Sequence, residues 1–211
     1  MKTTDLSSQV AAQVERGVEI LKRGGIVAYP TDTVYGLGGD VFNIGAIKRI
    51  YAVKQRPKTM PLPVLLADSN KLQDIAVVPE MAWRLIERFW PGGLTLVLPK
   101  RDTLPAIITA GGDKIAVRVP AHDVPLHLIR GLGRPIVGTS ANISGKPSPL
   151  TAAEVVVQLD GKVDLIIDGG RCRGGVESTV VDVTGESPVI LRAGIIPEAD
   201  INKACRKIRR R

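Results

Sequence analysis

Residue types that carry out covalent or metal chemistry are scarce in this sequence. Its 211 residues include two histidines and two cysteines. His122 and His127 are five positions apart, so they do not share one face of a helix. Cys172 and Cys205 have neither zinc-ligand spacing nor the density of a disulfide scaffold. The sequence therefore argues against a histidine metal site, a Ser-His-Asp triad and a disulfide-stabilised secreted domain.

Aromatic residues and long apolar runs are also scarce. Aromatics make up 3% of the chain, which argues against a base-stacking platform for single-stranded nucleic acid. The apolar runs are a few residues long, far below the roughly 20 residues that span a bilayer. The first five residues lack the apolar segment of a secretory signal. We therefore expect a cytoplasmic protein without membrane contact.

Positive charge is concentrated at one end of the chain. The net charge is +8, and residues 203–211 contribute six positive charges and no acid, so residues 1–202 carry only +2. A basic tail of this kind either contacts RNA or is a solvated chain end. We expect residues 1–202 to form the folded domain and residues 203–211 to form the tail.

Apolar periodicity predicts alternating helices and strands. Helices are predicted at residues 7–23, 44–53, 80–90, 124–131, 151–159 and 198–208. Strands are predicted at residues 26–29, 63–66, 94–98, 115–119, 135–137, 163–167 and 189–192. No internal repeat or linker interrupts this pattern, and 44% hydrophobic content is sufficient for a full core. The sequence thus predicts a single mixed α/β domain.

Polar side chains follow several predicted strand ends, where open α/β sheets bind ligands. Ser140 and Asn142 come just after the strand at 135–137, and in an extended segment they point to one side. The alternative is an ordinary turn rich in serine, asparagine and glycine. The loop at 31–39 combines hydroxyls, a carboxylate and three glycines, but it lacks the spacing of a dinucleotide fingerprint.

Cations occur near the same predicted strand ends. Lys54 and Arg56 lie in one predicted loop, which suits either a polyphosphate or a solvated basic turn. Arg118 interrupts an apolar run, so it lies either on an exposed face or beside a partner, which would be a ligand carboxylate or a structural Asp or Glu. Cys172 lies between two arginines, which favours a lowered thiol pKa if the residue is functional. An incidental loop cysteine is the alternative.

The remaining side chains favour chemistry by positioning and charge. Residues 138–146 resemble a Walker A loop, but the spacing of the glycines excludes one. Hydroxyls, one carboxamide and several cations are left at strand ends, without an enzyme nucleophile. Phosphoryl or nucleotidyl transfer fits this set, because charge clamping and orientation supply much of its catalysis.

Five short motifs occur in the order seen in one known family. They are Pro30-Thr31-Asp32-Thr33-Val34-Tyr35-Gly36-Leu37, Lys54-x-Arg56-Pro57, Ala116-Val117-Arg118-Val119-Pro120, Ser140-Ala141-Asn142-x-Ser144-Gly145 and Glu177-Ser178-Thr179-Val180-Val181-Asp182. Together they resemble the YrdC/TsaC family, whose members are threonylcarbamoyl-AMP synthases. The resemblance implies a twisted, largely parallel or mixed sheet flanked by helices around a concave basic cleft. Within the family, the sequence resembles the short, single-domain form.

The resemblance also implies a reaction. L-threonine, bicarbonate and ATP would give L-threonylcarbamoyladenylate and pyrophosphate, with Mg²⁺ accompanying ATP and no dedicated metal site. The product would serve the t6A37 modification of tRNA, which makes the tRNA threonylcarbamoyl-transfer machinery the implied downstream partner.

Roles follow from the matched motifs. The residues implied to bind threonine are Thr33, Arg118, Ser140 and Ser178. Those implied to bind ATP are Lys54, Arg56, Met60, Ser140, Asn142 and Arg192. Lys54, Arg56, Ser140 and Asn142 form the implied catalytic set. Three positions depart from the family pattern, since Met60, Leu65 and Leu150 stand where relatives often have Asn, His and Thr.

Two other functions remain compatible with the sequence. One is a double-stranded RNA or tRNA-binding protein that uses the cleft and the tail without synthase activity. The other is a carbamoyltransferase of the hydrogenase-maturation type, although those proteins place this domain in much longer chains with zinc-finger and acylphosphatase-like parts.

Overall fold

Six α-helices lie in the part of the chain that the computed structural model describes, residues 6–205. They are α1 Ser8–Lys22, α2 Ile44–Lys54, α3 Glu80–Phe89, α4 Asp123–Leu132, α5 Ala152–Leu159 and α6 Glu198–Cys205, with a 3₁₀ helix at Ser69–Asp74. All six predicted helices are confirmed within one or two residues, except that the predicted end of the last falls outside the described residues. The proposed boundary between residues 202 and 203 falls inside α6.

Side-chain capping explains where several helices begin. Ser7, Asn43 and Thr151 each accept a hydrogen bond from a backbone N–H of the first turn that follows. Such a cap satisfies one of the four N–H groups that lack a partner at a helix start. At the other end of α2, Gln55 adopts a left-handed conformation with φ 50°. This conformation turns the chain sharply between Lys54 and Arg56.

Ten strands form two sheets in the described residues. They are β1 Val27–Tyr29, β2 Gly36–Gly38, β3 Val64–Leu65, β4 Leu94–Pro99, β5 Lys114–Arg118, β6 Ile136–Val137, β7 Thr139–Ser140, β8 Leu165–Ile166, β9 Thr179–Asp182 and β10 Val189–Arg192. The order is β7-β2-β1-β8 in the first sheet and β10-β9-β4-β5-β3-β6 in the second.

The mixed α/β fold is confirmed, with two corrections to the sheet. The strands divide between two sheets instead of forming one, and five pairings are antiparallel against three parallel. Short connections such as those between β1 and β2 and between β9 and β10 explain the antiparallel excess. A parallel pair needs a long crossover, whereas an antiparallel pair does not.

Two apolar clusters pack the helices onto the sheets. The larger cluster joins α2, α3 and α6 to the central strand β4, with Ile47, Leu85, Ile201 and Leu96 among its buried members. The smaller cluster joins α1 and α4 to β1 through residues such as Val18 and Leu128. Between residues 6 and 205, no helix combines the length and hydropathy needed to cross a bilayer. The packing of both clusters holds the two sheets in place, and residues of both sheets line one cleft.

Candidate functional site

A cleft of about 620 Å³ is lined by residues from both sheets. The first sheet supplies Ser140 in β7 and the loop after β1, and the second supplies residues of β3, β4, β5, β9 and β10. Every site residue expected from the sequence lines this cleft: Thr33, Lys54, Arg56, Met60, Arg118, Ser140, Asn142, Ser178 and Arg192. Five cationic side chains and one carboxylate, Glu177, line it among the described residues.

Arg118 lies at the end of β5 and is held by three protein acceptors. It is 7% exposed. Its Nε donates to the Gly92 carbonyl at 2.8 Å, one Nη1 hydrogen goes to Thr33 Oγ1 at 2.9 Å, and one Nη2 hydrogen goes to Asp32 Oδ1 at 2.5 Å. The acidic partner of Arg118 is therefore Asp32, whose Oδ1 also accepts the Ala121 N–H at 3.1 Å. A guanidinium has five N–H bonds, so two stay available to a ligand.

Ser178 connects strand β4 to the edge hairpin of β9 and β10. Its hydroxyl lies 2.8 Å from Thr95 Oγ1 on β4 and accepts from Arg192 Nη2 at 3.0 Å. The same guanidinium donates to the Ser178 carbonyl through Nε and Nη2, at 3.2 and 2.8 Å. Thr95 was not singled out from the sequence, because it lies within an apolar strand and belongs to no polar motif.

Lys54, the last residue of α2, binds the loop that carries Ser140 and Asn142. Its ammonium donates to the Ser140 carbonyl, to the Asn142 carbonyl at 2.9 Å and to Asn142 Oδ1 at 3.0 Å. These contacts use all three of its N–H bonds, and the residue is 1% exposed. Burial, with a smaller contribution from Arg56, lowers the pKa of Lys54 to about 7, and Glu177 partly opposes this shift.

Lys54 and Arg56 contact different segments, and Lys54 ends α2, which corrects the expectation that both residues lie in one loop. The left-handed Gln55 separates them. Arg56 donates to the Pro61 carbonyl at 2.9 Å and more weakly to that of Met60 at 3.4 Å. Burial lowers the pKa of Arg56, and Arg192 contributes to the shift. Both arginines line the same cleft.

The Ser140 and Asn142 side chains lie on one side of their segment, as their spacing predicted, and they bond to each other. Ser140 Oγ donates to Asn142 Oδ1 at 2.6 Å, and Asn142 Nδ2 donates to the Lys146 carbonyl at 2.5 Å. The stretch is thus a hydrogen-bonded loop anchored by Lys54. Ser144 Oγ in the same loop is buried and has no hydrogen-bond partner among residues 6–205.

Glu177 joins two segments of the cleft wall. Its Oε1 accepts from Ser148 Oγ at 2.5 Å, and its Oε2 pairs with Arg192 Nη1. It therefore connects the loop that follows β7 to strand β10. The sequence placed Glu177 in a motif without giving it a role. Its position directly before Ser178 was the available signal.

Comparison with known proteins places this geometry in a family. The family model Sua5_yciO_yrdC, described as "Telomere recombination", matches residues 19–194. The chain belongs to this family. It is 50% identical over 190 residues to a threonylcarbamoyl-AMP synthase of Pyrococcus abyssi, covering 90% of this chain and 56% of that one. A Bacillus subtilis threonylcarbamoyl-AMP synthase is 46% identical over 200 residues, covering 94% of this chain and 58% of that protein.

A solved structure of this Sua5/YciO/YrdC family has the same fold. P. abyssi Sua5 complexed with L-threonine matches with a TM-score of 0.88 and 48% identity, over 90% of this chain and 56% of that chain. The chain thus spans little more than half the length of these relatives.

The three positions that depart from the family pattern lie in different surroundings. Met60 is 46% exposed and lines the cleft, while its carbonyl accepts from Tyr51 Oη at 2.9 Å. Leu65 is buried and also lines the cleft. Leu150 packs against the larger apolar cluster and is not among the lining residues. Of the three, Met60 and Leu65 can therefore touch a ligand in the cleft.

The cysteine and histidines singled out from the sequence do not contribute reactive groups to the cleft. Cys172 is buried, and burial raises the pKa of its thiol, so the expected lowering by neighbouring arginines is wrong. His122 accepts the Val124 N–H at the start of α4. Within the described residues, no group of three or more His, Cys, Asp and Glu side chains could hold a metal ion.

Proposed function

We propose that this chain forms L-threonylcarbamoyladenylate and pyrophosphate from L-threonine, bicarbonate and ATP. The observation that carries the proposal is that the nine expected residues, seven of them from five separate motifs together with Met60 and Arg192, line one cleft. The names of the relatives support it, as does a homologous structure that holds L-threonine. The reaction would be a nucleotidyl transfer, with an AMP unit as the transferred group.

The cleft divides into two ends by the chemistry of its residues. Arg118, Thr33 and Ser178 would bind threonine, with the two remaining N–H bonds of Arg118 directed to its carboxylate. Arg56 would bind the phosphates of ATP, because a forked guanidinium suits phosphate oxygens. Arg192 would add positive charge and one N–H bond beside them, since its other four N–H bonds go to Glu177 and Ser178. Ser140 and Asn142 would lie between these ends, near bicarbonate, the phosphate oxygens and threonine. Met60 would line the ATP side.

Lys54 would act mainly through the loop that it holds. Because three backbone and side-chain oxygens already use its N–H bonds, it positions Ser140 and Asn142 and adds positive charge beside the phosphates. This role refines the expectation that Lys54 binds ATP directly.

Catalysis in this proposal comes from orientation and charge. The threonine amine would react with bicarbonate to give a carbamate and water, and a carbamate oxygen would then attack the α-phosphorus of ATP and expel pyrophosphate. Holding reactants in a reactive geometry can account for roughly 7–11 kcal/mol of a barrier. No enzyme nucleophile is needed for this sequence of steps.

Mg²⁺ would enter with ATP. Magnesium at nucleotide sites is commonly held by substrate phosphates, water and one or two carboxylates. Glu177 is the carboxylate that lines the cleft in the described chain, and it is already paired with Arg192. The residues therefore fit a metal held largely by the nucleotide, where it would neutralise phosphate charge.

The cellular setting is proposed on the same grounds. The adenylate product would pass to the tRNA threonylcarbamoyl-transfer machinery for t6A37 formation. Direct contact with tRNA and the cytoplasmic location stay predictions.

Pyrophosphate release from ATP tests the proposal. The full chain is assayed with and without L-threonine and labelled bicarbonate, with L-serine as a control. We expect release that needs both co-substrates and label in an adenylate product. Release that ignores threonine, or ATP binding without release, would contradict the synthase.

Two variants test which end of the cleft binds threonine and which end binds ATP. Arg118→Ala should raise the threonine requirement more than the ATP requirement, and Arg56→Ala should do the reverse. Arg130→Ala, at an exposed position on α4, is the matched control and should change neither. Equal effects of the two cleft variants on both substrates would contradict the assignment.

A further inference from the structure

Two buried threonines beside Arg118 form a hydrogen-bond chain, in which the proposed function uses Thr33 but gives Thr31 no role. Thr31 and Thr33 are 5% and 1% exposed. Thr31 Oγ1 lies 2.7 Å from the Val34 carbonyl oxygen, 3.0 Å from the Thr33 backbone nitrogen and 3.0 Å from Thr33 Oγ1. Arg118 Nη1 donates to that same Thr33 Oγ1 at 2.9 Å. Together these contacts determine which atom donates at each step.

The Thr31 hydroxyl has one hydrogen and two lone pairs. Its hydrogen goes to the Val34 carbonyl, because Val34 is buried and its carbonyl has no other donor in the described chain. One lone pair accepts the Thr33 N–H. The other lone pair faces Thr33 Oγ1, so the Thr33 hydroxyl must donate its own hydrogen to Thr31.

The outcome is a Thr33 oxygen that can only accept. Its hydrogen is directed to Thr31, one of its lone pairs is occupied by Arg118, and one lone pair is left. Beside it, Arg118 keeps two N–H bonds after donating to Gly92, Thr33 and Asp32. Two donors next to one acceptor match an α-amino acid, whose carboxylate accepts and whose amine donates from the same carbon.

We propose that Thr31 is a positioning residue that fixes the direction of the Thr33 hydroxyl, so that Thr33 accepts a hydrogen bond from the α-amine of the substrate. This inference rests on the proposed function and adds to it the polarity of the amino-acid end. An amine that donates an N–H to Thr33 keeps its nitrogen lone pair free for reaction. Asp32 supports the arrangement by holding Arg118 beside Thr33.

The test compares two ligands that differ only at the amine. Binding of L-threonine and of 3-hydroxybutyrate, which has hydrogen in place of the amine, is measured on the full chain. We expect the wild type to prefer threonine by about 5- to 10-fold, since a net hydrogen bond is worth about 1 kcal/mol and tenfold corresponds to about 1.4 kcal/mol. In Thr31→Val, which keeps the shape and removes the hydroxyl, the preference should fall to about twofold. Thr31→Ser should restore it.

The ratio of the two affinities distinguishes a positioning role of Thr31 from a purely structural one. If Thr31→Val weakens both ligands equally, Thr31 is merely structural and the inference is overturned. A wild type that fails to bind threonine overturns the proposed function as well, whereas a preference unchanged in Thr31→Val overturns only the inference.

A measurement on the wild type covers the case in which Thr31→Val does not fold. The α-hydroxyl of 2-hydroxybutyrate can donate to Thr33, whereas the keto oxygen of 2-oxobutyrate can only accept. We expect 2-hydroxybutyrate to bind at least about fivefold more tightly, as for the loss of one hydrogen bond. Equal affinities, or a preference for the keto acid, would overturn the inference.

Discussion

At the scale of single residues, the polar groups of the cleft bind one another as well as facing a ligand. The Lys54 ammonium is fully occupied by the loop at residues 140–142, and four of the five N–H bonds of Arg192 go to Glu177 and Ser178. Lys54 is 1% exposed and needs such partners, because desolvation without them is costly, whereas the contacts of the exposed Arg192 orient its guanidinium. The network therefore keeps the side chains in place in the absence of substrate.

Lys54 should make ATP binding sensitive to pH. Its pKa of about 7 in the empty cleft should rise when a polyanion binds beside it, because a nearby negative charge favours the ammonium. Binding then takes up a proton, so ATP affinity should fall as the pH rises above about 7. We expect a fall of roughly 3- to 10-fold over about two pH units, and calorimetry in two buffers should detect the proton uptake.

Lys54→Gln is the control, because it removes the titration of the side chain at position 54 and leaves that of the ATP phosphates. The two proteins should therefore differ in the slope of affinity against pH, as well as in affinity. Parallel pH profiles would show that Lys54 does not change its charge state on binding.

At the scale of elements, the edge hairpin of β9 and β10 depends on one close backbone approach. A Cβ on Gly194 would lie 2.4 Å from the Glu177 carbonyl oxygen and 2.5 Å from backbone atoms of Ser178 and Thr179. Backbone cannot move aside as a flexible side chain can. The segment after β10 can therefore pack on residues 177–179 only if residue 194 is glycine.

Gly194→Ala should lower stability and disturb the site together. Overpacking of this kind costs about 1–3 kcal/mol, which corresponds to a fall of roughly 2–12 °C in Tm for a chain of this size. Threonine and ATP binding should both weaken, because Ser178 and Arg192 share this hairpin. Gly185→Ala is the matched control, since its added Cβ meets nothing within 4 Å, and it should stay within about 0.5 kcal/mol of wild type. Equal effects on Tm would contradict the packing argument.

Elements with local signals were predictable from the sequence, and those formed by distant pairing were not. The helix α5 was found from its periodicity and from Thr151 and Glu154, and the Glu154 N–H does bond to Thr151 Oγ1. Strands β2 and β7 were described as loops, because Gly36-Leu37-Gly38 and Thr139-Ser140 lack strand periodicity. They are strands because they pair with each other, at Gly36 with Ser140 and at Leu37 with Thr139.

The candidate site was predictable as a set of residues but not as a set of contacts. Motif spacing selected residues that all line the cleft. It could not show that Asp32, 86 positions from Arg118, is the acidic partner of Arg118. It also could not show that Lys54, which was expected to bind ATP, binds the loop at residues 140–142. Such pairings depend on tertiary packing, which leaves no trace in the local pattern.

At the scale of the whole molecule, the residues that line the cleft and those that give the chain most of its net charge lie in different parts of the sequence. Every residue that lines the cleft falls between Thr33 and Arg192. Most of the net charge comes from residues 203–211. Of these, Lys203 belongs to α6, whose Ile201 is buried in the larger apolar cluster, and residues 206–211 lie outside the described part of the chain. A truncation that spares the fold must therefore end after Cys205, not at residue 202.

Deletion of residues 206–211 separates the synthase from the RNA-binding alternative. It removes five cations and no residue of the cleft, so threonine-dependent pyrophosphate release should stay within about twofold of the full chain, as for changes away from the site. If the full chain binds double-stranded RNA through these cations, the slope of log affinity against log salt should become shallower by about 0.9 for each phosphate that the shortened chain no longer neutralises. Abolished RNA binding with intact turnover would favour the enzyme. Turnover that disappears with residues 206–211 would show instead that these residues take part in the reaction, and the assignment of catalysis to the cleft alone would be wrong.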